Sequence, residues 1–412
     1  MGAGQEVGRS AFLLDTGNVR FLMDYGIKLL PGETKGVEYP LELPSKPHFV
    51  VLSHAHLDHC GYLPSLFSKG ETPPFLATKP TLEISEVMWK DALKVAKINK
   101  NPLPFKPKDI KQAGKYWEEI GRKNSLLGVN MESYDAGHIL GSVYTQFEVE
   151  GKKILYTGDF KYTPTELHNG AEHPPETDVL LIESTYWYQN HPSRKEQIQR
   201  IYDIVDGVIE DGGTVLFPSF ALGRTQDLIE ILADRYYGKV PVYVDGMGKK
   251  ITEIYLKYKD QLKDKDFEKK VKKVRFIENR TQRKKATEKP SIIISTSGML
   301  DGGPALEHML HMSPKSAVIL TGYQVEGTNG HRLLTQNKIK IDGYELKVEF
   351  PVYYLSLSAH ADRGDIFRFI QQTSPEKIIL IHSDSSQLFE EELRNDYGYD
   401  AKAIKTGESI EL

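Results

Sequence analysis

The chain has 412 residues, 39% of them hydrophobic and 27% charged, and its 53 basic and 57 acidic side chains leave a net charge of −4. This length suffices for two or three domains with real cores, and the acidic balance excludes a protein that gathers polyanions by its overall charge. No apolar run approaches a membrane span, no signal or transit peptide opens the chain, and the lone Cys60 excludes an intrachain disulfide, so a cytoplasmic protein without a membrane partner is expected.

Residues 2–10 are glycine-rich and read as a loop. Residues 11–14 and 19–23 read as paired strands about the turn Asp15-Thr16-Gly17-Asn18, the second ending in Asp24. The apolar run 49–52 leads straight into Ser53-His54-Ala55-His56-Leu57-Asp58-His59-Cys60-Gly61, the pattern H-x-H-x-D-H. Imidazole nitrogen and carboxylate oxygen are the ligands that divalent zinc takes. In an extended turn His54 and His56 face one way, and Asp58 and His59 follow after the chain has bent. One loop can then serve two ions, and a pair about 3.5–4 Å apart can clamp the oxygens of a phosphate or acyl centre.

Residues 83–100 have helical period, with Ile84, Val87, Met88, Leu93 and Ala96 inward, and the Pro-rich 101–107 ends the helix. A second helix is expected over 108–120. Residues 144–149 and 153–156 read as strands, the latter ending at Thr157-Gly158-Asp159, and 179–182 as a strand ending at Glu183. Near the C-terminus 377–381 ends at His382. Each of these strands ends in a potential ligand or acid. Strand ends are where loops of layered αβ folds converge, so Asp24, His54, Asp159, Glu183 and His382 are expected to meet. His138, bracketed by Gly137 and Gly141, has the setting of a residue reaching into a tight site.

The middle of the chain alternates short apolar runs (214–217, 242–244, 292–294, 318–320) with helical patterns (195–210, 224–237, 304–311), which reads as a doubly wound parallel sheet. Domains are expected at 1–187 and 351–412, with 188–350 inserted between them. The basic stretch 263–289 is the candidate for a local polyanion site, although such a run taken alone reads better as a solvated helix face. His308 and His311 are expected at the surface, His331 near a helix start, and Cys60 packed beside the histidine cluster.

Beyond these residues, Ile182-Glu183-Ser184-Thr185-Tyr186, Ser358-Ala359-His360-Ala361-Asp362 and Ile381-His382-Ser383 resemble the three β-CASP motifs of the metallo-β-lactamase superfamily, with Ser383 where glycine is more usual. Stretches 217–224, 297–299 and 322–328 are similar to the β-CASP insert. The resemblance spans essentially the whole chain and points to relatives of the nuclease subunit of the cleavage and polyadenylation specificity factor, of archaeal and bacterial type. It implies an α/β fold: a metallo-β-lactamase αββα sandwich with an inserted β-CASP domain of mainly parallel sheet flanked by helices. It implies two zinc ions, one on His54, His56 and His138, the other on Asp58, His59 and His382, with Asp159 bridging and Asp24 behind the ligands. Catalysis would fall to His360, Glu183 and Asp58. Read from the residues alone, Arg224, Ser297 and Ser358 are candidate contacts to the phosphates of single-stranded RNA, with helix capping and turn formation the alternative for the two serines. Tyr186 and Tyr323 are candidate rings for a base, with core packing the alternative. The implied activity is phosphodiester hydrolysis leaving a 5′-phosphate and a 3′-hydroxyl, endonucleolytic in the first reading. A 5′-to-3′ exoribonuclease of RNase J type, a thioester or lactone hydrolase and a non-catalytic complex subunit are the alternatives, and a homodimer or a processing complex is the expected assembly. Relatives carry an extra strand before residue 1, so a trimmed start is expected.

Overall fold

The computed structural model describes residues 1–30 and 36–412. Two mixed sheets face each other in the first unit. One has five strands in the order Phe12–Asp15, Arg20–Met23, Phe49–Val51, Phe75–Ala77 and Trp117–Glu119. The other has seven, in the order Ala401–Ala403, Lys377–Ile381, Val179–Glu183, Lys152–Tyr156, Val143–Val149, Val129–Asp135 and Lys123–Leu126. Side chains alternate across each strand. Phe21, Val51, Leu181 and Ile379 point into the core between the sheets. Leu22 and Val50 point outward to Trp89 and Ile110 on the helices Lys79–Ile98 and Pro107–Ala113. Leu180 and Leu380 point outward to Ile366, Phe369 and Leu393 on Arg363–Thr373 and Ser386–Asn395. The result is four layers, αββα.

A six-stranded parallel sheet forms the second unit, in the order Arg275–Phe276, Val242–Asp245, Ser291–Ser295, Thr214–Pro218, Ala317–Leu320 and Val352–Tyr354. Phe217, Ile292 and Ile294 pack against helices Arg224–Tyr236 and Gly248–Lys257 on one face. Leu216, Ile293 and Leu320 pack against Pro304–Met309 and Asn329–Gln336 on the other. Both faces are covered, which is why these strands are apolar without alternation. The chain enters this sheet after Val179–Glu183 and rejoins the seven-stranded sheet at Lys377–Ile381, so the second unit is inserted in the first. Val352–Tyr354 pairs with Ala317–Leu320, so the inserted sheet runs a few residues past the expected crossing at 350.

Several expectations need correction. The helix expected over 108–120 stops at Ala113, capped by Gly114, and Trp117–Glu119 is an edge strand whose indole Nε1 donates to Ala77 O at 3.0 Å. The first helix begins earlier, at Lys79, because Thr78 caps it by accepting from Thr81 N and Pro80 fits its first turn. His308 is not at the surface. It is fully buried, with Nε2 2.9 Å from Asp245 Oδ2, because its helix lies on the inserted sheet where that strand ends. The basic stretch 263–289 is not one helix face. It is broken into Phe267–Val271, Arg275–Phe276 and Arg280–Ala286, and half of its charges are paired, among them Lys269 with Asp266 at 2.8 Å, Lys272 with Glu268 at 2.7 Å, Lys273 with Asp234 at 2.5 Å and Arg283 with Asp245 at 2.6 Å.

Candidate active site

The site lies where strands of both sandwich sheets end. Phe49–Val51 delivers His54 and His56, and the short helix Leu57–Cys60 turns Asp58 and His59 back beside them. The loop after Val129–Asp135 brings His138, Lys152–Tyr156 leads to Asp159, and Lys377–Ile381 to His382. Gly158 permits the Asp159 approach: its φ is +52°, and a Cβ there would lie 2.5 Å from Ser53 Cβ.

Donor atoms of His54, His56, His138 and Asp159 all lie within 4.8 Å of one another, and so do those of Asp58, His59, Asp159 and His382. In the first group His54 Nε2 and His138 Nε2 each stand 3.1 Å from His56 Nδ1, and Asp159 Oδ2 is 3.6 Å from His54 Nε2 and 3.8 Å from His138 Nε2. In the second, His59 Nε2 is 3.3 Å and His382 Nδ1 3.5 Å from Asp159 Oδ1, and His382 Nε2 is 3.3 Å from Asp58 Oδ2. Asp159 thus presents one carboxylate oxygen to each group.

The surroundings set which ring nitrogens are free. Asp24 Oδ2 accepts from Ser53 Oγ, Tyr156 OH and His59 Nδ1, each at 2.6 Å. With its proton on Asp24, the Ser53 hydroxyl accepts from His54 Nδ1 at 3.0 Å. His138 Nδ1 donates to Ala359 O at 2.8 Å. A carboxylate and a carbonyl are acceptors only, so these contacts fix the tautomers and turn the Nε2 atoms of His54, His59 and His138 inward. Asp24 therefore orients two of the three histidines of the H-x-H-x-D-H loop. Asp24 and His382 both hold left-handed backbone, at φ 57° and 56°. Such strain costs about 1–3 kcal/mol each and persists where surrounding contacts over-determine it. Here Asp24 N donates to Val51 O and His382 N to Ala3 O, both at 2.9 Å.

The donor set suits a divalent metal. Burial holds His54 and His138 neutral, well below the usual imidazole range, and pushes His56 down to about 4. Burial also opposes charge on Asp159, but His59, His382 and His360 outweigh it and keep the carboxylate ionised. Burial works against the proton on His59 and His382 as well, and Asp159 and Asp58 overcome it. A cation held there would compete for those same nitrogens and displace their protons. Asp159 Oδ1 is buried and satisfied by no hydrogen bond, the state of an oxygen that awaits a cation.

Beside these groups stands a further pair. His360 Nδ1 is 3.1 Å from Glu183 Oε2 and 3.8 Å from Asp159 Oδ2. Glu183 is fully buried and held by Phe160 N at 2.9 Å and by Thr185 Oγ1 at 2.7 Å. Burial disfavours the imidazolium of His360, yet Glu183 and Asp159 push its pKa up to about 9.

The expected RNA contacts are more dispersed. Arg224 is buried, with Nη1 3.2 Å from Asp227 Oδ2, a carboxylate shared with Arg194 at 2.8 Å. Ser297 Oγ closes its own loop on Gly302 O at 3.2 Å, and Ser358 Oγ accepts from His360 N at 3.2 Å. Tyr323 is 60% exposed. Sequence reading missed Ser53, Tyr156 and Thr185 as supports of the site. Thr185 has a signal, its place two residues after Glu183. Ser53 has one too, its place between the apolar run 49–52 and His54, whereas Tyr156 has none, since it reads as part of a buried strand.

Comparison with known proteins fits this geometry. Residues 6–202 match the metallo-beta-lactamase superfamily, 225–333 the Beta-Casp domain and 345–404 the Zn-dependent metallo-hydrolase RNA specificity domain. The chain is 36% identical to the Probable RNase MJ4 of Methanocaldococcus jannaschii over 100% of its own length and 99% of that protein. It is 33% identical to RNase aCSPSF2 of Saccharolobus solfataricus over 100% of its length and 84% of that protein. A crystal structure of a protein of unknown function from Enterococcus faecalis superposes with a TM-score of 0.63 at 16% identity, covering 100% of this chain and 98% of the other, a likeness of fold. Sheet layers, insert and relatives agree: the chain belongs to the β-CASP ribonuclease branch of the metallo-β-lactamase superfamily of metal-dependent hydrolases.

Proposed function

We propose that the protein is a two-zinc ribonuclease that hydrolyses phosphodiester bonds of single-stranded RNA, endonucleolytically, leaving a 5′-phosphate and a 3′-hydroxyl. The observation that carries this reading is the pairing of two donor groups through Asp159 with the His360–Glu183 pair beside them. His54, His56, His138 and Asp159 Oδ2 would hold one zinc, and Asp58, His59, His382 and Asp159 Oδ1 the other. Bound there, the pair supplies an activated water and positive charge for the phosphoryl oxygens. His360 carries a proton at neutral pH and gives it to the leaving 3′ oxygen. Glu183 holds the imidazole in place and favours its charged form. Asp24 keeps the metal-facing nitrogens presented.

Relatives named as ribonucleases in two archaea support RNA as the substrate. Circular and linear 5′-monophosphorylated RNA of one sequence, each incubated with zinc and with chelator, test the reading. Zinc-dependent cleavage of both forms is expected. Cleavage of the linear form alone would replace the endonuclease by a 5′-exonuclease, and chelator-insensitive cleavage would remove the metal mechanism. His360→Ala should retain zinc and lower the cleavage rate by about 10²–10⁴-fold, the usual contribution of a positioned acid.

A further inference from the structure

Four aromatic rings stand exposed around one side of the site. Thr214–Pro218, Ala317–Leu320 and Val352–Tyr354 are adjacent parallel strands, so their C-terminal ends share one edge of the inserted sheet. Phe220 and Tyr323 follow the first two strands closely and Tyr354 ends the third, at 39%, 60% and 45% exposure. A Cβ on Gly322 would lie 3.1 Å from the Phe220 ring, which sets Phe220 against the backbone that carries Tyr323.

From the sandwich comes Tyr188, 53% exposed, shortly after Glu183. The tyrosines of the two domains lie within electrostatic reach of one another. Burial raises the Tyr188 phenol and Tyr323 adds to it. Burial raises Tyr354 too, with Tyr188 and Tyr323 contributing against the opposing Arg224. The half-buried Tyr186 joins this group to the chemistry, its ring centroid 6.4 Å from Tyr188 and 6.1 Å from His360. Single exposed aromatics are ordinary. Four that converge from two domains beside a proton donor form a surface for a ligand.

The charges nearby say which ligand. Arg224, whose charge acts on Tyr354, is tied to Asp227. The rings therefore offer flat π faces beside a guanidinium whose charge is already shared with a carboxylate. Every base has a face that stacks on such rings, whatever the sequence.

We propose that Tyr188, Tyr323, Tyr354 and Phe220 form a stacking subsite for unpaired bases flanking the scissile phosphate, so that the protein selects single strands by base stacking and reads no sequence. This rests on the ribonuclease reading above. Bases locked in a duplex cannot reach the rings, which makes strandedness the selected property.

The test uses the zinc-loaded full chain and a ten-nucleotide, cleavage-resistant RNA, with affinity read by fluorescence anisotropy. Tyr323→Ala and Tyr188→Ala should each weaken binding on the order of tenfold, and Tyr323→Phe should bind as the parent does, because the ring alone stacks. On an RNA made abasic around the blocked linkage, the parent and the alanine variants should bind alike. Both side chains are exposed, and melting temperatures of the variants check that the fold is kept. Unchanged affinity of the alanine variants, or a loss that persists on the abasic strand, overturns the stacking subsite while leaving a parent that cleaves RNA intact. A parent that neither binds nor cleaves RNA overturns the ribonuclease reading and this subsite together. A concentration-dependent dimer abolished by Tyr323→Ala would assign the rings to self-association and overturn it as well.

Discussion

Asp24 shows how one carboxylate outside a donor cluster can set its order. It accepts three hydrogen bonds on Oδ2, from Ser53, Tyr156 and His59, and through Ser53 it also fixes His54. Asp24→Asn places an amide among groups that are all donors, so the rings lose their shared anchor. Zinc affinity should fall about 10–100-fold, as for other partners behind metal ligands, measured by competition with a chelating dye. His168 illustrates a different residue-scale effect. It is buried with Nε2 unpartnered, and burial lowers its pKa to about 4. The unfolded chain takes up this proton near the ordinary pKa of 6.5, and the folded chain only near 4. Stability from this group is therefore intact above pH 6.5 and is lost as pH falls towards 4. The slope approaches about 1.4 kcal/mol per pH unit for one proton. His168→Gln should flatten the fall of the unfolding midpoint over that window, and an unchanged slope would show that the imidazole is not the titrating group.

At the scale of elements, strands were legible and their supports were not. Runs such as 49–52, 179–182 and 378–381 are apolar because both faces of each strand are covered, and the residue that follows each run is polar because the strand stops at the site. That contrast survives without knowledge of the fold, so the ends at His54, Glu183 and His382 could be found. Trp117–Glu119 was misread as helix because three residues carry too little period to outweigh the helical pattern before Gly114. His308 was misplaced because only the tertiary pairing of its helix with the end of Val242–Asp245 buries it. The basic stretch 263–289 misled for a related reason. Two of its acidic partners, Asp234 and Glu230, sit on Arg224–Tyr236, far along the chain. Replacing Lys269, Lys272 and Lys273 together by alanine should therefore leave the slope of RNA affinity against salt concentration unchanged, whereas each released phosphate contact would lower it by almost one.

Across the whole molecule, two sheets stacked face to face end their strands at one place, and the unit built on the inserted parallel sheet packs beside it. Ala55 and Ile139, neighbours of the histidines, share a core cluster with Phe217 and Leu228 of the insert, so the two units are joined by packed apolar contacts beside the donor groups. The account depends on those groups forming a single dinuclear centre. Crystals of the zinc-loaded protein, with anomalous data collected on both sides of the zinc edge, test it most directly. Two peaks are predicted, one among His54, His56 and His138 and one among Asp58, His59 and His382, with an oxygen of Asp159 on each. A lone peak, or zinc bound away from Asp159, would contradict the account.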